Sequence, residues 1–164
     1  MIFVNSVAIS CAGLPDSAKY PRGVEQRDEV WAETTDGGLL RELFGYYPTL
    51  HDARIRSIAF DPRKDLAELL VDYRDLVEGQ PSNSELNVRI KLTWTKVKRF
   101  DLSLGANDIG SMSMRRQGDL IRTEIESGYG VNGFIESEQF EAVLDKLDPL
   151  PDDEEEDRFS IRYR

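Results

Sequence analysis

Asn87-Val88-Arg89-Ile90-Lys91-Leu92-Thr93-Trp94 alternates without a fault. Val88, Ile90, Leu92 and Trp94 fall on one face, and Arg89, Lys91 and Thr93 on the other. That is the period of a strand with one side in a core and one in water. The pattern spreads in both directions. Downstream, after a basic break at Lys96, Lys98 and Arg99, Val97, Phe100, Leu102 and Leu104 continue it. Gly105 and Asn107 mark a turn, Ile109 to Met114 carries the pair Met112 and Met114, and Gln117-Gly118-Asp119 turns again. Leu120 to Glu126 places Ile121, Thr123 and Ile125 on one face, and Val131 to Glu136 follows the turn at Ser127 to Gly130. Upstream, Leu66 to Tyr73 alternates, and Arg54 to Phe60 alternates with a break between Ile55 and Ile58, which predicts a bulge or a strand covered on both sides. Gly79 to Ser84 reads as a loop. Strands at this spacing, joined by turn residues, predict an antiparallel sheet.

Helical signals are few. Leu39, Leu40, Leu43 and Phe44 share one face of a short helix with Gly45 as its stop, and Val30-Trp31 opens another that Thr34, Thr35 and Gly37-Gly38 interrupt. Ser137 to Leu147 fits two periods. Phe140, Val143, Leu144 and Leu147 suit a helix, whereas Phe140, Ala142 and Leu144 suit a strand. Ile2 to Ile9 reads as an opening strand. The expected fold is a β-rich α+β domain, a mainly antiparallel sheet that is either curved or a sandwich, with one or two short helices. It occupies residues 1–148 as a single domain, and 149–164 form an acidic, solvated tail.

Composition excludes more than it suggests. The only cysteine, Cys11, allows no disulfide within the chain, and the only histidine, His51, excludes zinc sites built from two or three imidazoles. No stretch approaches the ~20 apolar residues that cross a bilayer, and no basic residue precedes the mildly apolar start MIFVNSVAISCAGLP, so a cytoplasmic protein is expected. The net charge is -10, and Asp152 to Asp157 alone supplies six of the 31 acidic residues. The remainder of the chain holds 25 acidic against 21 basic residues. Direct nucleic-acid binding is disfavoured by this balance, and a basic partner is favoured.

His51-Asp52 is the one pair that invites chemistry. A metal-phosphohydrolase reading fails for want of further histidine ligands, and in an extended strand adjacent side chains point to opposite faces. The structural reading has His51 hydrogen-bonding across the start of the strand and Asp52 capping a turn. No G-x-S-x-G elbow is present and no nucleophile signature surrounds Cys11. Asp101 and Asp108 do not fit a calcium-loop frame, and Gly128-Tyr129-Gly130 lacks the lysine of a phosphate loop. Lys91, Lys96, Lys98, Arg99, Arg115 and Arg116 read as the wet side of a sheet rather than a basic patch. No catalytic residue, cofactor or metal is expected.

The stretch Leu39 to Phe60, LLRELFGYYPTLHDARIRSIAF, resembles the opening of the immunity protein 50 family, predicted antitoxins of bacterial polymorphic toxin systems. The match lies in the short helix ending at Phe44, the step Tyr47-Pro48, the motif Leu50-His51-Asp52-Ala53 and the strand Ile55 to Phe60. Val88 to Trp94, Val97 to Leu104, Asn107-Asp108-Ile109 and Gly130 to Leu147 are similar in order to the family's later strands, so the resemblance covers roughly residues 39–148. It implies a non-catalytic protein that neutralises a cognate toxin by direct binding, with a basic nuclease as one class of partner. Tyr47, Pro48, His51 and Asp52 then stand as motif positions of structural kind. Tyr46, Tyr129, Asp152, Asp153, Glu154 and Glu155 are the expected partner contacts, since tyrosine favours interfaces and carboxylates suit a basic partner. A scaffold domain in a larger assembly and a small hydrolase using His51 are the competing readings.

Overall fold

The computed structural model describes residues 22–79, 85–147 and 160–163. The elements run α1 (Arg22–Ala32), α2 (Gly37–Phe44), β1 (Ala53–Asp61), β2 (Leu66–Leu76), β3 (Glu85–Leu104), β4 (Asp108–Ile109), β5 (Ser111–Gln117), β6 (Leu120–Glu126), β7 (Val131–Leu147) and β8 (Ser160–Tyr163). They form one sheet in the order β4-β1-β2-β3-β7-β6-β5, antiparallel throughout, with β8 added parallel to β1. The β-rich α+β expectation is met. The expected opening strand, Ile2 to Ile9, lies outside the described residues.

The alternation at 87–94 occupies the first half of the 20-residue β3. That half pairs with β2 on one side and with the second half of β7 on the other, Leu69, Leu92 and Ala142 standing abreast, and likewise Ala67, Trp94 and Phe140. The pairing with β2 stops at Leu66, the first residue of β2, opposite Thr95. Lys96 then takes a left-handed φ of 54° and the register slips between Val97 and Arg99, so the strand bends at the basic break seen in sequence. Beyond the bend β3 pairs only with the first half of β7, which pairs in turn with β6. Two halves result: β1–β2–β3 and β7–β6–β5, joined by the two long strands. β4 and β5, at opposite ends of the strand order, are separated in sequence by Gly110 alone, so the sheet curls back on itself.

The bulge foreseen in β1 lies between Ile55 and Ser57, and by it both Ile55 and Ile58 reach the core. Ser137 to Leu147 belongs to a strand. Its period-two face, Phe140 and Ala142, is buried, while Val143 and Leu147 of the helical pattern are exposed. Asp36 covers the edge that β6 leaves open there. Its N–H donates to the Ala142 carbonyl at 3.2 Å and its carboxylate accepts the Leu144 N–H at 2.8 Å, as a neighbouring strand would do. Both helices pack into the concave side. Trp31 meets Phe140 edge to face at 5.7 Å, and Phe44 meets Tyr73 at 5.3 Å. Ser160 to Tyr163, assigned to the acidic tail by sequence, are a strand of the sheet instead, because β1 offers an unpaired edge at Ser57 to Phe60.

Candidate functional site: the His51–Asp52 turn

The chain reaches the site through a helix stop. Gly45 ends α2 with φ 87°, and its N–H donates to the Arg41 carbonyl. Tyr47 and Pro48 are buried, with the Arg41 guanidinium 5.3 Å from the centre of the Tyr47 ring. Leu50 is fully buried, yet its φ is 55°, and Asp52 has φ 59°. Two non-glycine residues in the left-handed region cost free energy that the surrounding packing must supply, a cost found most often where a chain presents side chains for use. Between them His51 stands out from the surface. His51 and Asp52 side chains are 67% and 80% exposed and face each other, Nδ1 to Oδ2, at 3.0 Å. In an extended strand the two side chains would point to opposite faces. The pair lies in a turn instead, so the side chains meet, and His51 makes no bond across the strand start; its N–H donates to Thr49 Oγ1 at 3.3 Å.

Beneath the turn lies a hydroxyl–carboxylate network that sequence reasoning missed. Thr49 Oγ1 is 3.3 Å from the Tyr73 hydroxyl, which donates to Asp75. Asp75 also accepts the Leu76 N–H at 2.8 Å, and Tyr46 donates to the Leu76 carbonyl at 2.9 Å. Burial, with Asp75 beside it, pushes the Tyr73 phenol up to about 12, and burial likewise raises Tyr46. Burial alone would raise Asp75 too, but donors from Tyr73, Leu76 and Tyr46 and the nearby His51 outweigh it and hold its pKa below the usual carboxylate range. Both phenols therefore keep their protons at neutral pH and Asp75 stays ionised. The network braces the turn. Tyr73 could be read from sequence only as a core-facing residue, and nothing in the strand pattern marked its partner, Asp75.

Two further segments join the turn. Ala53 pairs with Ile109 and Arg54 with Asp108, and the Ile55 N–H donates to the Asn107 carbonyl at 2.7 Å. Next to them, Ala106 N–H donates to the Tyr129 carbonyl at 2.6 Å, and Ser127 Oγ binds Asp108 at 2.6 Å. Tyr129 projects from this turn, 87% exposed. Backbone pairing thus joins the segment after the His51–Asp52 turn to the segments that carry Asp108 and Tyr129. Tyr46 is only half-buried but its hydroxyl is engaged, and Asp152, Asp153, Glu154 and Glu155 lie outside the described residues.

The basic residues noted in sequence each face a carboxylate: Lys91 with Glu68, Lys96 and Lys98 with Glu138, Arg99 with Glu136, Arg115 with Glu124 and Arg116 with Glu33. Among the described residues no three His, Cys, Asp or Glu side chains are grouped to hold a metal, and no helix is long and apolar enough to cross a membrane. No protein-family model, curated protein or solved structure matches the chain.

Proposed function

We propose that this protein is an immunity protein that neutralises a cognate toxin by direct, non-catalytic binding, and that the rim of His51, Asp52, Asp108 and Tyr129 is where the toxin sits. The supporting observation is the His51–Asp52 turn: an exposed pair, held between two left-handed non-glycine residues, on a buried support. A turn pre-set in this way loses little freedom on binding. Tyr129 supplies the aromatic anchor that interfaces favour. The net charge of -10 speeds encounter with a basic partner such as a nuclease.

The test is capture of partners by the tagged chain in its source cells, followed by a growth-protection assay. One stoichiometric toxin whose killing the chain relieves is the expected result. His51→Ala combined with Tyr129→Ala is expected to weaken that complex by at least ~30-fold, about 2 kcal/mol, with the fold intact. Recovery of a multi-protein assembly without growth protection would replace this reading with the scaffold one.

A further inference from the structure

The turn that carries Tyr129 spends its hydrogen-bond donors on itself. The Ser127 N–H donates to Asn132 Oδ1 at 2.9 Å, and the Tyr129 and Gly130 N–H groups donate to Ser127 Oγ at 3.3 and 2.9 Å. The Ser127 hydroxyl donates in turn to Asp108, and Asn132 Nδ2 to the Gly130 carbonyl at 3.4 Å. Beside these bonds lies a hollow of about 510 Å³, lined by Gly110, Glu126, Ser127, Gly128 and Asn132. Its lining holds one carboxylate, Glu126, and no cationic side chain. That carboxylate has no partner among the described residues. Ser111 stands opposite Glu126 on β5, and Ser103 opposite Asn132 on β3, so the neighbouring strands bring serine to this end rather than a cation. Neither the Ser127 nor the Gly128 carbonyl accepts a hydrogen bond among the described residues. What the hollow offers a ligand is therefore acceptors. An added Cβ at Gly110 would run into the Glu126 carbonyl at 2.8 Å, whereas one at Gly128 would meet nothing within 4 Å. Gly110 is a tight floor and Gly128 an open wall.

We propose that this hollow receives a guanidinium, the head of an arginine side chain on the bound toxin. The inference deepens the function proposed above and rests on it for the identity of the partner. A guanidinium carries N–H donors in a planar fork and no acceptor, which suits a carboxylate flanked by free carbonyls. An anion does not fit, because the N–H groups that would hold it are engaged within the turn. Tyr129 follows Gly128 and is 87% exposed, an aromatic of the kind on which guanidinium planes stack. The hollow is roomy enough for such a head and its apolar stem. It also lies on the turn that carries Tyr129, so the charge and the aromatic anchor serve one contact.

Titration of the full-length, isotope-labelled chain with N-acetylarginine methylamide, followed by NMR at low salt, tests this. The citrulline analogue, an uncharged isostere, is the control. Saturable shifts of the Gly110, Gly128 and Asn132 amide signals are expected with arginine, and none with citrulline. Glu126→Gln is expected to weaken the binding about 3- to 5-fold. Gly128→Leu fills the hollow where the backbone leaves space, and is expected to abolish binding while signals elsewhere keep their places. No saturable shift at these amides, an equal response to citrulline, or binding unchanged by Glu126→Gln overturns the proposal. The result separates from that of partner capture. A captured toxin with growth protection but no arginine response removes the hollow alone. An arginine response with no toxin captured removes the toxin reading and leaves the hollow as a guanidinium site.

Discussion

The two halves of the sheet share an inner plan and differ on the outside. In the β7–β6–β5 half the outer residues form a ladder of matched charges: Arg115 with Glu124, Arg122 with Glu124 at 2.7 Å and with Glu136 at 2.5 Å, and Arg99 with Glu136 at 3.6 Å. The Phe134 ring lies beside the guanidiniums of Arg122 and Arg99, 3.9 and 4.8 Å from its ring centre. Arg122, Glu124 and Glu136 each have two charged partners, so the ladder tolerates loss of a rung. In the β1–β2–β3 half, Asp72 is the shared carboxylate at which Arg56 and Arg89 meet. The same residue types in the same alternation therefore yield one surface laced by a chain of ion pairs and one in which two guanidiniums converge on a shared carboxylate.

Asp72→Asn against Glu136→Gln is the sharpest way to break that contrast. Removing Asp72 takes the shared carboxylate from two nearly buried guanidiniums and is expected to cost about 3–5 kcal/mol. Removing Glu136 leaves Arg122 on Glu124 and is expected to cost about 1–2 kcal/mol. Equal losses in urea unfolding would erase the distinction.

Gly133→Ala probes the other half, where β7 crosses β3. Gly133 has φ 137°, and a Cβ there would overlap the Asp101 carbonyl. A loss of about 2–4 kcal/mol is expected, from strain and forced separation of the strands. A near-neutral result would show that this half yields more readily than its ladder implies.

The smallest effect is read by pH. Burial alone would raise Asp72, but Arg89 and Arg56 outweigh it and hold its pKa below the usual range. The stability it confers is complete above its unfolded value of ~3.9 and is lost as pH falls through the lower folded value. Tyr73 acts oppositely: its stability is complete below ~10 and is lost as pH rises towards about 12. Acid titration of stability should flatten in Asp72→Asn, and alkaline titration in Tyr73→Phe. An alkaline limb unchanged by Tyr73→Phe would remove the network beneath the turn from the account of its rigidity.

Legibility followed the reach of the interactions. The strands from 54 to 136 could be read because each carries its own period, and Gly45 announced the end of α2 because a left-handed stop needs no distant partner. His51 and Asp52 could be singled out, but not their meeting, since that depends on two left-handed neighbours whose cost is met by burial of Leu50. Residues 137–147 fit two periods until β3 and Asp36 supplied partners for a strand.

By itself the sequence determined a β-rich antiparallel fold, a helix ending at Gly45 and a bulge near Ile55, because alternation and turn chemistry act over a few residues. Only the tertiary structure decided that β4 and β5 return the sheet upon itself, that Ser160 to Tyr163 join β1, and that Arg56 and Arg89 meet at Asp72. Those outcomes rest on pairings between residues far apart in the chain, and register across strands is set when the shared core is packed.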